Sequence, residues 1–273
     1  MVFLIVSTDG RAMINTEAVL FDIEGVLHVG GVPVPGGTAV VKALQAAGVL
    51  FRCVSNTTRS SRAALAAKLE GLGYDIPASS IFTPSVAAVR EIRRRGGGPC
   101  YLLTTGDLHT DFSAAGIPLG AGEEGTRFVV VGDAGDEFTY ESMNRAFRLL
   151  LQGADLIALE KDRYWRGAED LMLSAGPYVT ALEYASGARA HLVGKPSPAF
   201  FARALDDMGV APGDAVMVGD DIMTDIGGSK GAGMRAVLVR TGKYDEKFVN
   251  QARVVPDAVI DSVASLGEVV RLR

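Results

Sequence analysis

Leu20-Phe21-Asp22-Ile23-Glu24-Gly25-Val26-Leu27 is the stretch on which the reading of this chain turns. An apolar run delivers Asp22 to the carboxyl end of a buried strand, a second acid follows at Glu24, and Gly25 permits a sharp turn. A carboxylate in that place is a candidate nucleophile or a ligand for a hard cation, because oxygen donors suit Mg²⁺. The bland alternative is a strand that ends in a solvated acidic turn. On these eight residues alone both readings stand.

Outward from this point, apolar strand-like runs alternate with helix-like segments, the pattern of a parallel sheet with crossover helices. Residues 18–23 read as a strand, 37–48 as an Ala-rich helix, 49–54 as a second strand and 60–72 as a helix stopped by Gly73. A helix opened by Pro84 runs to about Arg95, and Gly96-Gly97-Gly98-Pro99 punctuates the chain. Strands follow at 100–104, 127–131 and 155–160, with helices at 139–152 and 174–187. The last third carries a helix to Met208, strands at Ala215–Val218 and Ala236–Arg240, and a terminal strand and helix.

Composition narrows the function classes. A chain of 273 residues with 48% hydrophobic and 22% charged residues can bury a large core in one or two domains. A net charge of −5 argues against nucleic acid or an anionic membrane as partner, so an anionic ligand needs locally placed cations. The two cysteines, Cys53 and Cys100, form neither a disulfide framework nor a metal-site spacing, which suits a reducing cytoplasm. Cys53, inside an apolar run, reads as a buried strand thiol. Met1-Val2-Phe3-Leu4-Ile5-Val6 is too short for a signal peptide and is followed at once by Asp9 and Arg11. No run approaches the roughly 20 apolar residues of a membrane span. Residues 1–12 read as an extra strand or a loose extension, with Met13 an alternative start.

Three further segments carry chemistry. Val54-Ser55-Asn56-Thr57 ends a strand in small polar side chains and free N–H groups able to hold a phosphate oxygen, or simply caps the next helix. Lys195, between Gly194 and Pro196, is a cation on a constrained backbone, or an exposed lysine at a helix entry. Val218-Gly219-Asp220-Asp221-Ile222-Met223-Thr224-Asp225 again ends a strand in Gly-Asp and places further acids nearby. Clustered carboxylates repel and usually share a metal or a lysine. Acids at a helix N-terminus also complement its dipole, which accounts for one of them more easily than for three.

Asp22-x-Glu24-Gly25-Val26, Ser55-Asn56-Thr57, Gly194-Lys195-Pro196 and Gly219-Asp220-Asp221-x-x-x-Asp225 resemble, in order, the four motifs of the haloacid dehalogenase superfamily. The long insertion between the second and third resembles the large cap of its NagD-like subgroup. Phe51 to Thr58, Tyr140 to Phe147, Gly176 to Ala185 and Val193 to Pro198 are also similar to particular members of that subgroup, and the likeness runs from about residue 18 to 260. The resemblance implies an α/β fold: a doubly wound, Rossmann-like parallel core built from 1–58 and 191–273, with an α/β cap of the C2 type at 59–190.

By the same resemblance, Asp22 attacks phosphorus to form an aspartyl-phosphate that water then cleaves. Mg²⁺ is held by Asp22, the Glu24 carbonyl and Asp220, with Asp225 acting through water or by orienting Lys195. Ser55, Asn56 and Lys195 bind the transferring phosphoryl group, and the cap selects a small phosphorylated substrate. A homodimer through the cap is allowed and not fixed. One departure stands out: the superfamily's phosphatases usually carry Asp where this chain has Glu24, as the acid for the leaving oxygen. Close members of the subgroup carry serine there. Glutamate keeps the acid but moves it by about an ångström, a displacement able to cost roughly 10²-fold in rate. The alternative is therefore a weak or inactive member that senses phosphate or binds a partner.

Other features read blandly. His28, His109 and His191 are isolated and lack metal spacing. Gly227–Gly233 resembles a nucleotide-binding loop but follows a helix instead of a strand, and a dinucleotide enzyme is poorly supported because no strand leads into a Gly-x-Gly-x-x-Gly loop. Tyr164 and Trp165, near Lys161 and Arg163, suit substrate contact in the cap, an amphipathic surface or a dimer face equally well.

Overall fold

Residues Ala18–Asp22 and Ala215–Gly219 are buried at every position, which explains why both read as unbroken apolar runs. Strands of a parallel sheet are covered on both faces. In the computed structural model, which describes residues 13–120, 125–166 and 170–273, these two strands are neighbours at the centre of a six-stranded sheet. The expectation for residues 1–12 lies outside the described residues.

The sheet runs Ala258–Ile260, Arg235–Val239, Ala215–Gly219, Ala18–Asp22, Leu50–Val54, Ile81–Phe82, with parallel pairing throughout. The chain lays down the middle strand first, builds outward through Leu50–Val54, and later adds the other half. Strand order therefore reverses between Ala18–Asp22 and Ala215–Gly219, whose register sets Val218 beside Phe21. The doubly wound parallel sheet is the expected fold class, and ligands of such sheets bind beyond the strand carboxyl ends at this reversal.

Two compact units divide the chain. The first comprises Met1–Ser55, Leu65–Phe82 and Lys195–Arg273, and its core joins Val19, Phe21, Leu69, Ile81, Val216 and Val237. The second comprises Asn56–Ala64 and Thr83–Gly194. It has its own parallel sheet, in the order His191–Leu192, Asp155–Ala158, Phe128–Val131, Cys100–Leu103. Helices Tyr140–Leu151 and Ala175–Ser186 supply Leu149 and Val179 to a separate core with Val129, Val131 and Leu156.

The boundaries differ from the sequence reading, which begins the insertion at 59 and gives all of 59–190 to it. Residues 65–82 belong to the first unit because Ile81–Phe82 pairs with the edge strand Leu50–Val54 and Leu65, Leu69, Tyr74 and Ile76 enter the same core. A two-residue strand leaves no periodic signal, so its pairing is invisible in the sequence. The antiparallel hairpin of Tyr164–Arg166 with Leu171–Leu173 was likewise unread, since Leu171, Met172 and Leu173 are all exposed and show no alternation.

Candidate active site

Asp22 closes its strand, and Asp220 follows directly on Gly219, so adjacent strand ends present two carboxylates side by side. The following helical turn, Ile222–Gly227, returns Asp225 to the same place. One carboxylate oxygen from each of Asp22, Asp220 and Asp225 lies within 4.8 Å of the others, and all three side chains are buried. Lys195, also buried, donates from Nζ to Asp22 Oδ1 and to Asp225 Oδ1, the latter at 2.6 Å. Gly25 is required here: its φ of +95° favours glycine, and a Cβ would run into the Asp220 carboxylate.

Burial pushes the Asp22 carboxyl well above its usual range; Lys195 opposes this, while Asp225 and Asp220 reinforce it. Asp220 is raised to about 7, first by burial and then by Asp225, against the backbone N–H of Lys243. Burial works against the Lys195 charge, yet Asp22 and Asp225 outweigh it and lift its pKa. When ionised, the three carboxylates exceed the one ammonium that bonds them, with Lys243 acting on Asp22 and Asp220 from further off, so negative charge is in excess in a nearly dry place. Such an arrangement is costly unless a cation joins it.

The remaining residues fall as follows. Asp221 is not in the cluster: its carboxylate accepts from the backbone N–H groups of Met223 and Thr224 and caps the helical turn. The dipole-complementing acid considered above is therefore Asp221 alone. Ser55 follows Val54, whose register partner is Asp22, and it is buried at that strand end. Asn56 falls in the second unit, where its Oδ1 packs close to Gly194.

Glu24 directs its carboxylate elsewhere. Oε1 accepts from the Gly30 N–H at 2.9 Å, and Oε2 lies 3.0 Å from His28 Nδ1 and 3.9 Å from Lys68. The His28 contact is close but off-line for a hydrogen bond, and burial lowers the imidazole pKa despite Glu24, so the ring is best treated as neutral. Cys53 is a buried, free strand thiol, its pKa raised first by burial and then by Asp22.

Sequence reasoning missed Thr241, Gly242 and Lys243, which follow strand Arg235–Val239 and reach the cluster. Thr241 Oγ1 donates to the Gly25 carbonyl, and the Lys243 N–H donates to Asp220 Oδ2 at 2.7 Å. A third strand ending in a small polar residue and glycine was the available signal.

The donor set fits Mg²⁺, which prefers oxygen ligands in an octahedron about 4.2 Å across. Three hard carboxylates within 4.8 Å of one another, two with pKa values raised by burial, form such a set.

Known proteins share the sequence and fold of this chain. The family described as haloacid dehalogenase-like hydrolase matches residues 19–118, and the one described as HAD-hydrolase-like matches 192–266. Haloacid dehalogenase-like hydrolase domain-containing protein 2 of Bos taurus is 42% identical over 239 residues, covering 86% of this chain and 90% of that protein. The chain belongs to the haloacid dehalogenase-like hydrolases. Within this superfamily it lies in the NagD-like subgroup. Phospholysine phosphohistidine inorganic pyrophosphate phosphatase of Homo sapiens is 38% identical, with 93% and 94% covered. The 4-nitrophenylphosphatase of Thermotoga maritima superposes with a TM-score of 0.86 at 27% identity, over 94% of this chain and 98% of that one. NagD from E. coli K-12 gives 0.83 at 28%, over 92% and 98%.

Proposed function

We propose that this superfamily member is a Mg²⁺-dependent phosphatase of small phosphorylated compounds, working through an aspartyl-phosphate on Asp22. That it is a phosphohydrolase follows from the family and from the phosphatase names of its relatives and structural neighbours. The finer reading is carried by one observation: three buried carboxylates, two at adjacent strand ends and one on the following helical turn, crowd beside Lys195, which bonds Asp22 and Asp225.

Asp22, Asp220, Asp225 and the Glu24 carbonyl are the groups that would hold the metal, which when bound supplies neutralising charge for an incoming phosphate. Asp22 then attacks phosphorus with one carboxylate oxygen, the bond to the leaving oxygen breaks, and that oxygen takes a proton from Glu24. Water gives a proton back to Glu24 as it adds to the aspartyl-phosphate, the bond between the Asp22 oxygen and phosphorus breaks, and phosphate departs with Asp22 and Glu24 restored. Lys195 moves from ion pairs to the phosphoryl oxygens without leaving the pocket of Asp22 and Asp225, and Ser55 and Asn56 supply neutral donors. Positioning and charge stabilisation supply most of what phosphoryl transfer needs. The second unit takes the role of the cap that selects substrate. A cytoplasmic setting and a homodimer belong to the same reading; no helix of the described residues is long and apolar enough to cross a membrane.

A second reading has its own observation. The Glu24 carboxylate is engaged by Gly30 and faces His28 and Lys68 instead of the cluster. A member whose acid is held aside turns over slowly, or only senses phosphate and binds a partner. Release of phosphate from p-nitrophenyl phosphate decides between them: wild type should be Mg²⁺-dependent and Asp22→Asn lower by at least about 10³-fold. Equal rates from the two proteins, or none from either across a panel of phosphoesters and phosphoramidates, favour the sensor.

A further inference from the structure

The turn that follows strand Arg235–Val239 makes two polar contacts from residues outside the four motifs, one to the acidic cluster and one to the Gly25 carbonyl. The Lys243 N–H engages Asp220 Oδ2 at 2.7 Å. Among the described residues, no donor engages Asp220 Oδ1. The Thr241 hydroxyl bonds the Gly25 carbonyl, one residue beyond Glu24. Between them, Gly242 has a φ of +64°, and a Cβ there would strike both the Asp220 carboxylate and the Gly25 Cα. Gly25 closes the opposite side, since its own Cβ would also meet that carboxylate.

Asp220 is thus held between two glycines, with one oxygen tied by a backbone N–H and the other left for a ligand. A buried carboxylate flanked by Asp22 and Asp225 would otherwise rotate away from its like-charged neighbours. We propose that Thr241, Gly242 and the Lys243 amide form a clasp that sets Asp220 in its metal-binding orientation, with Thr241 the positioning residue. Its hydroxyl anchors the clasp to the Glu24-Gly25 turn, so both ends of the oxygen-donor set move together. This rests on the metal-binding part of the function proposed above and does not depend on turnover.

The test is Mg²⁺ binding by calorimetry on full-length, metal-stripped protein, alongside melting temperature without metal. Thr241→Val should weaken Mg²⁺ about tenfold, the range seen when an outer partner of a metal ligand is lost, while Thr241→Ser restores it. Gly242→Ala should weaken it more; if that variant fails to fold, Thr241→Val decides. A merely structural turn would lower the metal-free melting temperature and leave Mg²⁺ affinity within about twofold of wild type, which overturns the clasp. Absence of Mg²⁺ binding by the wild type also overturns it. Wild type that binds Mg²⁺ but releases no phosphate defeats the phosphatase reading alone; normal turnover with an unaffected Thr241→Val defeats only the clasp.

Discussion

Glu160 in the second unit and Asp220 in the first are each 3% exposed, and burial raises the pKa of both. Their neighbours differ completely. Glu160 Oε1 accepts from the Ser174 hydroxyl at 2.7 Å and the Ala175 N–H at 2.8 Å, and Oε2 accepts from the Asp162 N–H. It pins the start of helix Ala175–Ser186, and hydrogen bonds oppose the effect of burial. Asp220 accepts from one backbone N–H and faces two further carboxylates. Glu91 repeats the first pattern, with Arg94 at 2.7 Å and Arg95 beside it. A buried acid with local donors is architecture; buried acids crowded around too few donors await a cation.

Four experiments press on that contrast. Replacing Asp220 with Asn should reduce Mg²⁺ affinity by about 100-fold and abolish turnover, while the metal-free protein loses no stability, because a strained charge is removed. Calorimetry and thermal melts read both effects; loss of stability with unchanged metal affinity would make Asp220 another Glu160. The reciprocal change, Glu160→Ala, should leave Mg²⁺ binding alone and destabilise by about 1–3 kcal/mol through its abandoned donors, as denaturant melts would measure.

Glu24→Asp shortens the acid that now engages Gly30. Its kcat on p-nitrophenyl phosphate should rise by about tenfold if the extra methylene is what holds the carboxyl off the leaving oxygen. A fall instead would mean that the longer reach is the one the site uses.

The smallest effect is in pH. The folded pKa of Asp220, about 7, exceeds its ordinary value of 3.8 in an unfolded chain, so between those values the folded chain binds the extra proton. Its contribution to stability is greatest below the unfolded value and is lost as pH rises through about 7. Metal-free protein should therefore gain about 1 kcal/mol on going from pH about 8 to about 6, and saturating Mg²⁺ should flatten or reverse that slope. A metal-free stability that instead falls over this range would contradict the account of a cluster short of donors.

Much of the frame was legible in the chain because its signals are local. Ala18–Asp22, Leu50–Val54 and Ala215–Gly219 are apolar runs ending in polar residues, and helices such as Pro84–Arg94 and Tyr140–Leu151 declare themselves by their start signals and periodicity. Asp22, Lys195, Asp220 and Asp225 were legible as candidates for the same reason. Ile81–Phe82 was not, because a strand of two residues is made by its partner and not by its own pattern. The division between Asp221 and Asp220, adjacent acids of which one caps a turn and the other joins the cluster, came from the family resemblance and not from the local pattern.

The sequence by itself determined the alternation of strand and helix, the acids at strand ends and the family they mark. Those depend on side-chain type at short spacing. Tertiary structure alone decided that Asp22 and Asp220 stand side by side, that Glu24 turns toward Gly30, and that Thr241 to Lys243 close on Asp220. Distances across a sheet depend on strand order and register, and residues some two hundred positions apart carry no mutual signal until the strands have paired.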